Sequence, residues 1–217
     1  VLSFYVFHVA VLGVLFAIIT IALVVLLIWI TWIRRQYAFG GGGIMEQVHR
    51  VVLSHLDYDG EGKIPEVGCG SGPLSIRAAL MWPEAKVTGI DYWGADFGYN
   101  QTMCEKNAAS EGVAARCRFQ HGDANKLDFP DKSFDAVVSN YVYHNIKGKD
   151  KQQLLLETLR VLKKGGVFAI NEMGRFYRHV LVQKRYPHHG AVAFDHCAKQ
   201  LLSLIHISEP TRQAEIS

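Results

Sequence analysis

Cysteine is scarce and scattered in this chain. Cys69, Cys104, Cys117 and Cys197 include no Cys-x-x-Cys pair, so zinc-site and redox-dithiol spacings are absent and no metal is expected. Their scatter suits a reducing compartment. Net charge is also small, at +3 over 217 residues, too little to imply a nucleic-acid partner. No Gly-Lys-Ser/Thr follows the glycine turn at 68–72, which excludes a phosphate loop. Acids are nearly missing from 175–201, where Asp195 alone faces Arg175, Arg178, Lys184, Arg185 and Lys199. That stretch shows no helix or strand period and reads either as a shifted frame or as a substrate segment.

Charge is missing altogether from Val9 to Ile33, a run of 25 residues rich in Val, Leu, Ile and Trp. As a helix it would reach roughly 37 Å, enough to cross a hydrocarbon core of about 30 Å. A signal peptide would need a basic segment in front, and residues 1–9 carry no Lys or Arg. Residues 1–35 therefore read as one transmembrane helix with a basic flank. Arg34 and Arg35 place the chain beyond residue 35 in the cytoplasm, with Trp29 and Trp32 at the interface. The chain begins with Val, so it is expected to be a piece of a longer protein in which another span could precede residue 1. Residues 36–43 form a glycine-rich linker.

From residue 44 the pattern alternates. Apolar residues at 44, 48, 51, 52 and 56 predict a helix. The spacing then predicts strands over 64–67, 86–90, 116–120, 134–139 and 167–170. Helices are predicted over 74–81, 100–111 and 151–162, the last closed by Gly165-Gly166. Strands alternating with helices at these intervals give an α/β fold with a doubly wound, mostly parallel sheet over 44–174. Right-handed crossovers then bring the strand C-terminal ends to one edge, where ligands bind. Pro65 is expected at the beginning of its strand, where the missing N–H is tolerated.

Motifs gather at that edge. Glu66-Val67-Gly68-Cys69-Gly70-Ser71-Gly72 joins the first strand to a helix, and Asp91 closes the next strand. Glycines let a ligand approach the backbone, and a carboxylate can accept both hydroxyls of a ribose. A dinucleotide fingerprint would place a third glycine at 73, where Pro73 stands. Gly122-Asp123-Ala124 follows the third strand, and Ser139-Asn140-Tyr141-Val142-Tyr143-His144 follows the fourth. Asp135 reads as structural.

These ordered motifs, over roughly residues 44–172, resemble class I S-adenosylmethionine (SAM) methyltransferases of the type 11 kind. The resemblance implies a Rossmann-like methyltransferase sheet, here expected to lack its last strands, and SAM as cofactor. It implies cofactor contacts from Glu66 to the ammonium group and from Gly68, Cys69, Gly70 and Gly72 to the methionine part. Asp91 would hold the ribose, Tyr92 would pack along ribose or adenine, and Asp123 and Ala124 would meet the adenine. Asn140 would face the transferred methyl, with Tyr143 and His144 as candidate base or pocket wall. The absence of an Asn-Pro-Pro-Tyr/Phe tetrapeptide after the fourth strand argues against an amino-base or glutamine methylase. The expected function is a membrane-anchored methyltransferase acting on a small-molecule or lipid-like acceptor. A non-catalytic or truncated SAM-binding module and a nicotinamide-dependent oxidoreductase are the alternatives. Residues 202–217, from Leu-Ser-Leu-Ile-His-Ile-Ser-Glu-Pro-Thr-Arg onward, resemble a translated transposase-type sequencing adapter and are set apart as a non-native tail.

Overall fold

The computed structural model describes residues 2–95, 97–146, 151–173 and 179–185. The adapter-like tail 202–217 lies outside the described residues. Of the segment 175–201, only His179–Arg185 is described. The chain divides into two compact units, Val1–Val48 and His49–Ser217.

In the first unit, α1 (Leu2–Tyr37) runs for 36 residues, about 54 Å. Its stretch Val6–Tyr37 has mean hydropathy 3.3 and is long and apolar enough, by length and composition, to cross a membrane. Thr20 and Thr31 donate to the carbonyls of Phe16 and Leu27 at 2.9 and 2.7 Å. The two hydroxyls of the apolar run are thus satisfied within the helix itself. Arg34 and Arg35 sit in the last turn, where cations favour the helix dipole. α2 (Ile44–Ser54) begins just past the glycines, and its Glu46 carboxylate accepts from Gly42 N at 3.0 Å.

The second unit is a six-stranded sheet. Its strands are β1 (Gly62–Val67), β2 (Ala85–Asp91), β3 (Cys117–His121), β4 (Phe134–Asn140), β5 (Leu162–Met173) and β6 (His179–Arg185). The spatial order is β3-β2-β1-β4-β5-β6. β1 to β5 are parallel and β6 pairs antiparallel with β5. The helices are α3 (Pro73–Met81), α4 (Gln101–Ser110) and α5 (Lys151–Arg160). The strand order reverses direction between β1 and β4, which makes their C-terminal ends the crevice where ligands of such sheets bind.

Packing follows the sequence pattern. On one face Leu154, Leu155 and Leu159 of α5 pack with Val137, Phe168 and Ile170, all at most 5% exposed. Leu74, Ile76 and Ala79 of α3 are likewise fully buried. The polar end of α5 has another task. Arg160 donates to the carbonyls of Phe129 and Leu127 and pairs with Asp131 and Glu157. This clamps the long connection from β3 to β4. The Arg160 hydrogen bonds hold the Glu157 carboxyl below its usual range.

Three expectations need correction. Pro65 lies in mid-strand, buried and in register with Thr88. It has no N–H to give, and β1 and β4 share one registered pair, Glu66–Val138; Ser139 Oγ donates to Val67 O at 2.8 Å across the same gap. Gly165-Gly166 does not end the helix but lies inside β5. The register jumps there from Phe134–Leu162 to Ala136–Val167, a bulge that absorbs the extra residues. The sheet also continues past the fifth strand through β6, within the segment that carried no legible period.

Gly89 of β2 shows how closely the site's floor is packed. A Cβ there would meet the Phe119 ring at 2.5 Å and Cys69 Sγ at 3.0 Å. Gly89→Ala is expected to destabilise the second unit by about 1–3 kcal/mol, read as a lower urea midpoint of the detergent-solubilised chain. An unchanged midpoint would show that the Phe119 ring steps aside.

Candidate functional site at the strand ends

The turn after β1 is drawn toward β2. Gly68 N and Cys69 N both donate to Ile90 O, at 2.7 and 3.0 Å. Gly68 has φ 76°, and a Cβ there would fall 2.2 Å from Val142. Only glycine therefore lets the loop after β4 lie against this turn. At Gly70 a Cβ would meet the Tyr99 ring alone, at 3.6 Å, so this peptide is open to close approach.

Asp91, at the end of β2, holds the turn in place. Its Oδ2 accepts from Gly70 N at 2.7 Å and its Oδ1 from Trp93 N at 2.8 Å. Trp93 Nε1 returns a bond to Gly70 O at 2.8 Å, and Cys104 Sγ reaches the same carbonyl at 3.2 Å. Each carboxylate oxygen keeps a second lone pair for a ligand donor. Asp91, expected from the sequence to hold a ribose, is in the structure a brace for the turn, which the sequence did not reveal.

Glu66 departs from its expected place. It is 2% exposed, and its Oε2 accepts from Ser75 N at 2.7 Å and Ser75 Oγ at 2.5 Å. It lies beneath the loop and caps the start of α3, rather than facing a ligand's ammonium group. Burial pushes its carboxyl up to about 8, against the Ser75 hydrogen bonds that pull it down. Cys69 is buried as well, and hydrogen bonding to Cys104 with burial pushes its thiol far up. It contributes backbone, not a reactive sulfur.

The outer edge is open. Tyr92 is 64% exposed, its ring 5.1 Å from that of His121. Asp123 Oδ1 accepts from Asn125 N and Nδ2 at 2.8 and 2.7 Å, and its other oxygen has no hydrogen bond among the described residues. Ala124 beside it packs on the core.

Past β4, Asn140 Oδ1 accepts from Asn171 Nδ2 at 2.8 Å. Asn171 Oδ1 is buried with no hydrogen-bond partner among the described residues. Tyr143 is not at the edge. It is 6% exposed, its hydroxyl lies 2.6 Å from Thr158 Oγ1, and burial pushes its phenol up. His144 is more open, with a 31% exposed side chain, and its Nδ1 meets Glu172 Oε2 at 2.6 Å. Glu172, at the end of β5, was not singled out from sequence; its place beside the β4 end follows only from the parallel register Asn140–Asn171.

The described backbone has three non-glycine residues at positive φ: Trp93 at 44°, Lys132 at 55° and Tyr141 at 58°. Trp93 and Tyr141 lie just past the ends of β2 and β4, the two strands that flank β1. Strain held at one edge by fixed hydrogen bonds is a mark of a ligand site.

The sequence of residues 65–170 matches a family described as a methyltransferase domain. A sterol 24-C-methyltransferase of Aspergillus fumigatus is 33% identical over 125 residues, covering 57% of this chain and 31% of that protein. A ubiquinone/menaquinone biosynthesis C-methyltransferase of Desulfotalea psychrophila is 33% identical over 118 residues, 54% of this chain and 44% of that one. Among solved structures, the 4+2 cyclase SpnF superposes with TM-score 0.52 at 27% identity, covering 58% of this chain and 44% of that chain. The chain spans less than half the length of these relatives.

Glu66 supplies a test of the site's floor. In the fold it keeps its proton to about pH 8, against 4.5 ordinarily. Between those values the folded state binds the extra proton, so stability falls as pH rises through the window. Glu66→Gln should remove that slope. Urea midpoints at about pH 5 and about pH 8 are expected to fall more for wild type than for the variant. Equal falls would mean that Glu66 is ionised throughout.

Proposed function

We propose that this chain, whose residues 65–170 match a methyltransferase domain family, is a membrane-anchored enzyme that uses SAM to methylate a small-molecule or lipid-like acceptor. The observation that carries the reading is the Gly70–Asp91 pair. An open glycine peptide is fixed 2.7 Å from a carboxylate that retains acceptor capacity, at the C-terminal ends of β1 and β2, beside the switch point of the sheet.

The donor set fits such a nucleoside. The backbone of 68–72 would lie against the methionine part, Asp91 would accept the ribose hydroxyls, and Tyr92, Asp123 and Ala124 would line the base. Asn140 would face the reacting end, held by the Asn171 amide. Glu66 acts through α3, holding the turn rather than the ligand. When bound, SAM supplies a methyl group already activated on a positively charged sulfur. The chain's main contribution is then to align the acceptor and exclude water, and positioning of this kind supplies much of the rate.

The apolar run 9–33 would cross the membrane, and Arg34 and Arg35 would keep the domain on the cytoplasmic side. An anchored domain meets apolar acceptors where they are concentrated, which supports a lipid-like substrate. A second reading, nucleoside binding without methyl transfer, draws support from the likeness to SpnF, a cyclase of this fold. The oxidoreductase alternative could point to Tyr143 and Lys147, four residues apart. The Tyr143 phenol is buried against Thr158, which counts against it.

S-adenosylhomocysteine is expected to raise the thermal midpoint of the detergent-solubilised chain, and NADH to leave it unchanged; the reverse would favour the oxidoreductase. In calorimetry, Asp91→Ala should weaken S-adenosylhomocysteine binding by about 1.5–3 kcal/mol, the cost of losing hydrogen bonds to a charged group. Unchanged affinity would remove Asp91 from the site. The full chain should stay with membranes through an alkaline carbonate wash; release into the supernatant would contradict the anchor.

A further inference from the structure

Glu172 is 8% exposed and gathers four donors from one short segment. Its Oε1 accepts from Val142 N at 2.9 Å and Tyr143 N at 2.7 Å. Its Oε2 accepts from His144 N at 3.3 Å and meets His144 Nδ1 at 2.6 Å. The main-chain bonds alone would cap the 3-10 turn Tyr143–Asn145. The ring bond is the shortest of the four and is not needed for a cap.

A carboxylate only accepts, so the Nδ1 facing it carries the proton. The neutral imidazole then has its lone pair on Nε2. Among the described residues Nε2 has no hydrogen-bond partner, and the side chain is 31% exposed. One carboxylate therefore fixes the ring's tautomer, its orientation and the backbone that bears it. Tyr143 cannot compete for the role, because its phenol is buried against Thr158.

We propose that His144 is a general base for the methyl acceptor and that Glu172 is its positioning residue. The acceptor is then a molecule whose methylated atom carries an acidic proton, a phenol or comparable hydroxyl. The inference rests on the SAM-binding reading of the site. The hydroxyl proton passes to His144 Nε2, and the O–H electron pair becomes available for the new O–CH3 bond. The donor sulfur keeps the pair of the broken S–CH3 bond and becomes a neutral thioether. The imidazolium so formed is held against the Glu172 carboxylate until its proton leaves to water. Acceptors that need no deprotonation would gain nothing from this arrangement.

The test uses the full chain in detergent, with 4-octylphenol as probe acceptor. Nitrogen-15 NMR of the histidine rings, with S-adenosylhomocysteine bound, should show His144 in the Nδ1–H form. Glu172→Gln, which keeps an acceptor for the backbone cap, should shift the ring toward Nε2–H. His144→Asn keeps a donor near the position of Nδ1. It should lower kcat for methylation of the probe about a hundredfold, with KM and S-adenosylhomocysteine affinity changed less than about threefold. An Nε2–H ring in the wild type would overturn the proposal, as would a kcat within about threefold in His144→Asn. So would a wild-type chain that binds S-adenosylhomocysteine yet leaves 4-octylphenol unmethylated. A chain that binds no S-adenosylhomocysteine would overturn the SAM-binding reading itself.

Discussion

The bond from Gly70 N to Asp91 Oδ2, 2.7 Å long, joins the turn after β1 to the end of β2. Much of the edge depends on it. Gly70 O is held in turn by Trp93 and Cys104, so the peptide is fixed on both sides. With the turn held, Gly68 can accept the close approach of Val142. That contact brings the loop after β4 over the crevice. A charge-assisted bond of this kind contributes about 1.5–3 kcal/mol, enough to hold a strained turn against its own conformational freedom.

The same device recurs at two other strand ends. Glu66 holds the start of α3 through Ser75, and Glu172 holds residues 142–144. Their environments separate their roles. Glu66 is sealed under the turn and its carboxyl is pushed up to about 8, so it serves as a structural hydrogen-bond partner. Asp91 is half-buried and accepts one hydrogen bond on each carboxylate oxygen. Glu172 reaches a partly exposed imidazole. Acids at the ends of β1, β2 and β5 thus give a floor, a braced turn and a positioned ring. Electrostatic preorganisation of this sort lets a site act without rearranging.

The alternation of strands and helices, the glycine turn, Asp91 and the apolar N-terminal run were legible because each depends on local chemistry. Pro73, read from the sequence only as the residue that breaks a dinucleotide fingerprint, occupies the first helical position of α3, with Gly72 as the cap. What stayed hidden depends on long-range register. Glu172 matters only because β5 lies beside β4, and Arg160 only because α5 returns over the connection from β3. Gly165-Gly166 has the composition of a helix stop, yet the pairing of β5 with β4 takes it into a bulge. Pro65 sits in a central strand, in register with Thr88 of β2, where β1 shares a single registered pair with β4. Glu66 could be placed at the turn from sequence, but not beneath it.

The most direct measurement is a crystal structure of the detergent-solubilised chain grown with S-adenosylhomocysteine. The account predicts one nucleoside at the C-terminal ends of β1 and β2, with its ribose hydroxyls on Asp91. Its sulfur should point toward the loop that carries Asn140 and His144. A ligand bound away from Asp91, or a crevice that stays empty in saturating S-adenosylhomocysteine, would contradict it.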